Sequence, residues 1–316
     1  MNNHAHMNGN STTSGRIRSA THSGSWYSDN PGELNVQLSG WLNAASSNIG
    51  SARAIISPHA GYTYCGETAA FAFKQVFPDK IRKIFVLGPS HVMYLSGCAL
   101  TTFSKYATPL GDLHVDSFVN EQLMNSHGSD SFEWMSTRNE EAEHSLEMQM
   151  PFIAKIMESR QPGSFKIVPV LVGSLNTSRQ QFYGRIFANY IADPTNLFVI
   201  SSDFCHWGQR FRYTPMEHSG GKPIHEQIST LDKQGMDAIS SLDPSLFNEY
   251  LKKTQNTICG RNPICVLLQA FDYYRQTTNV LAELRFLKYA QSNKCRSMND
   301  SSVSYAAGAL FINMRN

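Results

Sequence analysis

The stretch "NLFVISSDFCHWGQRFRY" (residues 196–213) decides how the chain is read. Its first part is an apolar run with no ionisable group, the pattern of a strand covered on both faces. The run breaks at Ser201-Ser202 and then delivers Asp203, Cys205 and His206 almost together. A core strand that ends this way sets groups able to bind metal or move protons at one rim of a sheet, where open α/β sheets hold their ligands.

Working outward, five further runs are apolar without strict alternation and read as buried strands: "ARAIISP" (52–58), "KIFVLGP" (83–89), "FKIVPVLVG" (165–173), "LRFLKYAQ" (284–291) and "SVSYAAGALFIN" (302–313). Helical patterns alternate with them: "GETAAFAFKQVF", "SLEMQMPFIAKIMES", "SRQQFYGRIFANYI", residues 225–242 and "PICVLLQAFDYYRQ" (263–276). In the second of these, Leu146, Met150, Ile153 and Met157 share one face at helical spacing and read as core. Pro151 either kinks that helix or sits in its first turn. The alternation predicts a single-domain α/β sandwich with a central mixed or parallel sheet covered by helices. Residues 1–18, polar and rich in Asn, Ser, Thr and Gly, read as a disordered tail in which His4 and His6 have no role. Residues 19–316 read as one domain, with 212–224 as a surface loop.

Bulk composition narrows the function classes. The 316 residues carry 27 Lys+Arg against 25 Asp+Glu, a net +2 that calls for neither nucleic acid nor an anionic membrane. No apolar run approaches the roughly 18 residues that a bilayer crossing needs, so no membrane insertion is expected. Six scattered cysteines without a CxxC pair fit reduced thiols, hence the cytoplasm or the nucleus.

Three strands end in a histidine at the same side. "IISPHAGYTYCG" puts His59 just past its strand, "VLGPSHV" does the same for His91, and the opening stretch supplies His206 beside Asp203. Neighbouring strands lie about 4.8 Å apart, so imidazoles from two such loops can reach one ion. In "NTICGRNPICVLL", Asn262-Pro263 marks a helix start with Asn as cap. Cys259 then feels the positive end of that helix, which favours thiolate, a ligand for soft or borderline metals. In "EEAEHSLEMQMP", His144 and Glu147 are three apart, the spacing of a base with its orienting carboxylate and equally of an ordinary exposed helix face.

These blocks, with "SGSWYSDNPGEL", "PVLVG" and "DSSVSYAAGAL", resemble the Memo family, named for mediation of receptor-driven cell motility; the match runs in order from about His22 to the C-terminus. The resemblance implies a fold like the class III extradiol dioxygenases, which are non-haem iron(II) enzymes. It implies His59 and His91 as metal ligands completed by Cys259, with Asp203 and His206 beside them and His206 in the place of an acid/base histidine. It also gives His144 and Glu147 a catalytic place, and puts Trp26 and Tyr27 at a pocket edge. Cys259 stands where the dioxygenases use a carboxylate, so ring-opening chemistry does not follow from the fold. Val92 stands where many relatives carry a second histidine.

Three functions are weighed. The first is a redox-active metalloprotein holding iron or copper, dioxygenase-like if it turns over a small molecule or an oxygen species, with Asp203 setting the tautomer of His206. The second is an adaptor in motility and cytoskeletal signalling. It would hold a phosphorylated peptide or signalling protein at Trp26, Tyr27, Arg210 and Arg212. The third is metal storage without turnover.

Overall fold

In a computed structural model of the chain, residues 15–46, 50–128, 131–217 and 221–314 are described. Most of the assumed tail, with His4 and His6, lies outside the described residues, as does part of the 212–224 loop. The nine-stranded main sheet is built from β1 (Ala54–Ser57), β2 (Lys83–Pro89), β3 (Cys98–Leu100), β4 (Phe132–Trp134), β5 (Lys166–Val172), β6 (Asn196–Ser201), β7 (His206–Trp207), β8 (Val280–Gln291) and β9 (Ser302–Met314). Its order is β7-β9-β1-β6-β2-β5-β3-β4, with β8 paired to β9.

β1, β6, β2 and β5 are mutually parallel, and β9 and β3 join them antiparallel at the two sides. The sheet is therefore mixed, with a parallel centre. All six apolar runs are strands of this sheet. β8 starts at Val280 rather than Leu284, and the short strands β3, β4 and β7 carry too little pattern to be read from sequence.

Alternate residues of the central strands enter opposite cores, as the two-residue pleat requires. Ile55, Ile84, Val86, Leu197 and Val199 pack on one side with the helices Pro31–Ala44, Tyr62–Phe73 and Met150–Ile156. Ile56, Phe85, Leu87, Phe198 and Ile200 pack on the other with Thr177–Ala192, Pro244–Thr254 and Arg261–Gln276. Two helices on that side approach so closely that a Cβ on Gly184 would lie 2.4 Å from Gln269 Cβ. The sandwich follows from strands apolar on both faces.

Three local expectations are corrected. Ile17–Arg18, assigned to the tail, form a strand beside Lys105–Tyr106, and Arg18 is buried. The helix assumed across residues 145–159 is a 3₁₀ turn, Glu147–Gln149, followed by the helix Met150–Ile156 with Pro151 in its first turn. Proline lacks an N–H and fixes φ, so it fits a first turn and would break an interior. The helix Arg261–Gln276 begins before Asn262, with Gly260 and not Asn262 as its cap. A side chain could not stand there, because a Cβ on Gly260 would lie 2.3 Å from Ser202 Cβ.

Candidate metal centre

The parallel strands β1, β2 and β6 end side by side, and their trailing loops bring His59, His91 and Asp203 to one rim. His59 is 2% exposed. Its ring centroid lies 5.2 Å from that of His91 and 5.3 Å from that of His144, and His91 and His144 are 4.3 Å apart. One ligand nitrogen from each of the three falls within 4.8 Å of the other two. Cys259 joins through His59, with Sγ 3.2 Å from His59 Nε2. Asp203 accepts the His59 backbone N–H at Oδ1 (2.8 Å) and keeps Oδ2 4.0 Å from His59 Nε2.

The hydrogen bonds fix which ring nitrogen is free. Ser201 Oγ donates its one proton to the Ser145 carbonyl (2.6 Å) and accepts from Gln149 Nε2 (2.9 Å). His59 Nδ1, 2.8 Å from the same oxygen, therefore carries a proton and donates it, and Nε2 is left with its lone pair. Glu143 Oε1 accepts from His91 Nδ1 (2.9 Å) and from Ser145 N (2.9 Å), while Oε2 accepts from His91 N (2.6 Å). That holds His91 with Nε2 free as well. His206 donates Nδ1–H to the carbonyls of Phe204 (2.9 Å) and Thr257 (3.1 Å). Backbone carbonyls, and not Asp203 as expected, set the His206 tautomer.

Burial and neighbouring imidazoles disfavour charge on His59 and His144. Burial, followed by the nearby His91 charge, pushes His59 well below the usual histidine value. Burial with His59 and His91 brings His144 down to about 3. Burial raises the Glu143 carboxyl, but the bonds from His91 outweigh it and bring the group down to about 2. Asp203 is raised by burial against the pull of His206. The Cys259 thiol is also raised, first by burial and then by the Asp203 charge. In the metal-free protein burial therefore works against the thiolate that the helix end is expected to favour. In that state Sγ accepts the Asp203 N–H (3.2 Å), and the S–H lies against the His59 Nε2 lone pair.

The remaining expected site residues divide. His144 joins the imidazole cluster, but not as a base oriented by Glu147, because the segment carrying them is not a helix that would set them face to face. Glu147 instead accepts from Arg18 Nη1 (2.7 Å), His22 N (2.8 Å), His22 Nδ1 (2.8 Å) and the Tyr27 hydroxyl (2.8 Å). It pins the N-terminal segment. Trp26 is 36% exposed and lies against His144 at 4.6 Å, a rim position. Tyr27 is buried and bonded to Glu147, so it is not at the edge.

Arg210 is exposed and stacks over Phe211 (4.5 Å), whose ring stands edge-on to His206 (5.2 Å). Arg212 is exposed at a left-handed turn (φ 54°), with no bond or ring contact to the cluster among the described residues. Glu143, Ser201, Gln149 and His22 were missed. The only local sign was that Glu143 directly precedes His144 in "EEAEHS".

A mixed α/β sandwich whose parallel strands converge on oriented imidazoles and a thiol defines a protein with a candidate metal centre. The chain belongs to the Memo family: the family profile, described as Memo-like protein, matches residues 18–309. It is 60% identical over 295 residues to "Protein memo-1 homolog" of Caenorhabditis elegans, covering 93% of this chain and 83% of that one. It is 56% identical to "Protein MEMO1" of Xenopus laevis and 53% identical to that of Homo sapiens, each match covering 93% of this chain and 97% of the relative. A crystal structure of uncharacterized protein JW3007 from Escherichia coli K12 overlaps 81% of this chain and 99% of its own at a TM-score of 0.49 and 12% identity, too distant to carry an argument.

Proposed function

We propose that the chain binds one redox-active transition-metal ion, iron or copper, through His59, His91 and Cys259, and serves redox or metal control linked to cell motility and cytoskeletal signalling in the cytoplasm or nucleus. One observation carries this: His59 and His91 each commit Nδ1 to a fixed acceptor and turn Nε2 towards a shared rim. A second hydrogen-bonded nitrogen is what orients a histidine ligand and raises its basicity. The donor set of imidazole and sulfur suits copper or thiolate-tolerant iron. His144 offers a further nitrogen beside the pair.

A bound ion of this kind would supply one-electron exchange and a site for a small molecule or oxygen species. The chain's own groups do the rest. His206, with Nδ1–H committed to carbonyls, presents its Nε2 lone pair for proton transfer. Asp203 holds the His59 backbone and covers the sulfur through its N–H. Dioxygenase-like turnover and metal storage remain distinct outcomes of the same site.

Elemental analysis of protein purified without air tests the reading. About one equivalent of iron or copper is expected in the wild type, and under about a tenth in His59→Ala. Equal, near-zero loading of both after exposure to Fe(II) and Cu(I) would remove the proposal. Oxygen uptake by the same sample separates turnover from storage.

An adaptor role is favoured by one observation, the Arg210–Phe211–His206 stack at the rim, which offers a guanidinium and an aromatic face to a phosphorylated peptide. Arg210→Ala is expected to weaken phosphotyrosyl-peptide binding about tenfold in a fluorescence titration, since charge-assisted bonds are worth about 1.5–3 kcal/mol. Identical weak binding by both proteins would dismiss this role.

A further inference from the structure

Asp232 lies within the helix Ile224–Ser240 and is 0% exposed. A buried carboxyl is costly where an apolar residue would fill the helix face, so its bonds are informative. Oδ1 accepts from Cys205 N (3.2 Å) and from Asn256 Nδ2 (3.0 Å). Oδ2 accepts from the Tyr289 hydroxyl (2.8 Å), which itself receives Gln291 Nε2 (3.0 Å) and lies 3.2 Å from Ser304 Oγ.

The two partners of Oδ1 belong to the two segments that complete the rim. Cys205 sits between Asp203 and His206, and Asn256 begins the turn that ends in Cys259. Beyond Asp232 these segments touch directly. His206 N donates to Thr257 Oγ1 (2.7 Å), Asp203 N donates to Cys259 Sγ (3.2 Å), and Gly260 N donates to Ser202 Oγ (3.0 Å). The carboxylate is thus the common anchor behind both, on a helix that itself contributes nothing to the cluster.

We infer that Asp232 is a positioning residue. By bonding Cys205 N and Asn256 Nδ2 from one oxygen, it holds the turn of Cys259 against the segment of Asp203 and His206, and so sets where the sulfur stands relative to His59 Nε2. The inference rests on the proposed metal reading only insofar as Cys259 is a ligand. The placement of the thiol is testable without metal.

The test uses the full chain and the variants Asp232→Asn, Asp232→Leu and Asn256→Leu. Asparagine keeps one oxygen for Oδ1's two donors and turns its amide to the Tyr289 hydroxyl, which can rotate to accept. Asn256→Leu removes the cysteine-side arm together with the bond from Asn256 Nδ2 to the Tyr250 hydroxyl (2.8 Å), while Asn256 Oδ1 has no partner among the described residues to lose. Alkylation of metal-free protein by iodoacetamide, read at each cysteine by mass spectrometry, should be about fivefold or more faster at Cys259 in both leucine variants, the loss of a buried bond. Cys98 and Cys265 should not change. Co(II) affinity, followed by the sulfur-to-cobalt absorption, should fall about tenfold or more in the same variants. Asp232→Asn should keep both values near wild type.

Unchanged Cys259 alkylation in Asn256→Leu, or an equal rise at all buried thiols, would overturn the inference and leave Asp232 a purely structural group. If Asp232→Leu does not fold, Asn256→Leu and Asp232→Asn decide the matter between them. A wild type that takes up no cobalt would sink the metal reading, while the alkylation comparison would still judge the brace.

Discussion

Replacing Arg18 by methionine is expected to remove about 3–5 kcal/mol of folding stability, measured as the shift in urea midpoint at constant m-value. Methionine keeps most of the apolar stem, so the loss isolates the guanidinium. That group is 1% exposed and fully satisfied. Nε and Nη2 bond the Glu140 carbonyl (3.2 and 2.8 Å), Nη2 also bonds the Glu143 carbonyl (2.8 Å), and Nη1 bonds the Ser19 carbonyl (2.8 Å) and Glu147 Oε2 (2.7 Å).

Arg18 therefore closes the carbonyl end of the short helix Thr137–Ala142 and neutralises a carboxylate that is itself 1% exposed. Without it, several buried carbonyls and one buried charge lose their partner at once. A surface arginine would cost no more than about 1 kcal/mol, and a loss that small would refute the assignment.

The effect has a defined pH dependence. Burial raises the Glu147 carboxyl, but the bonds from His22 and the charge of Arg18 outweigh it and bring the group down to about 2. A folded value below the unfolded one means that the stabilisation is fully present above the ordinary glutamate range, near pH 4.5, and is lost as pH falls towards 2. The gap between wild type and Arg18→Met should accordingly narrow through that window. A gap that stays constant down to pH 2 would show that Glu147 is not the partner that matters.

The contrast between Arg18 and His59 shows what the sequence could disclose. His59 and His91 were legible because strand ends are marked locally: an apolar run stops, a proline or glycine follows, and the first polar ligand type stands at the rim. The parallel centre of the sheet was legible for the same reason, since runs apolar on both faces suit interior strands, whereas β8 is an outer strand in which only Leu284 is buried. Arg18 has no such mark. Apart from the Ser19 carbonyl its hydrogen-bond partners lie 122 to 129 residues away, so "GRIRSA" looks like any polar terminus until the chain is folded.

Ser201 was visible only as the point where a strand breaks. Its role as acceptor for His59 Nδ1 depends on a carbonyl from Ser145 that takes its proton. His144 and Glu147 failed differently. Helical spacing was extended back through "EHSLEMQ", although Pro151 sets the helix start only just before itself, and the turn there sends the two side chains to different partners. For Cys259 the sequence showed the helix end that favours a thiolate but not the burial among Asp203, His59 and Ser202 that opposes it.

Glu143→Gln should weaken metal binding about 10–100-fold while leaving His59 and Cys259 in place, because it changes the proton on His91 rather than the ligands themselves. Three N–H groups converge on the two Glu143 oxygens: His91 N on Oε2, and His91 Nδ1 with Ser145 N on Oε1. A glutamine has one acceptor oxygen. If its NH₂ takes the Oε2 position, it opposes the His91 backbone N–H. If it takes the Oε1 position, it opposes Ser145 N–H and can be accommodated at His91 only when Nδ1 becomes an acceptor. That outcome moves the ring proton to Nε2, the nitrogen the cluster needs unprotonated.

Histidine ¹⁵N shifts of the metal-free protein should therefore show His91 changing tautomer or losing a single one, with His59 unmoved. Affinity for Co(II) should fall in step. Binding within about twofold of wild type, with His91 Nε2 still unprotonated, would mean that Glu143 merely packs the loop.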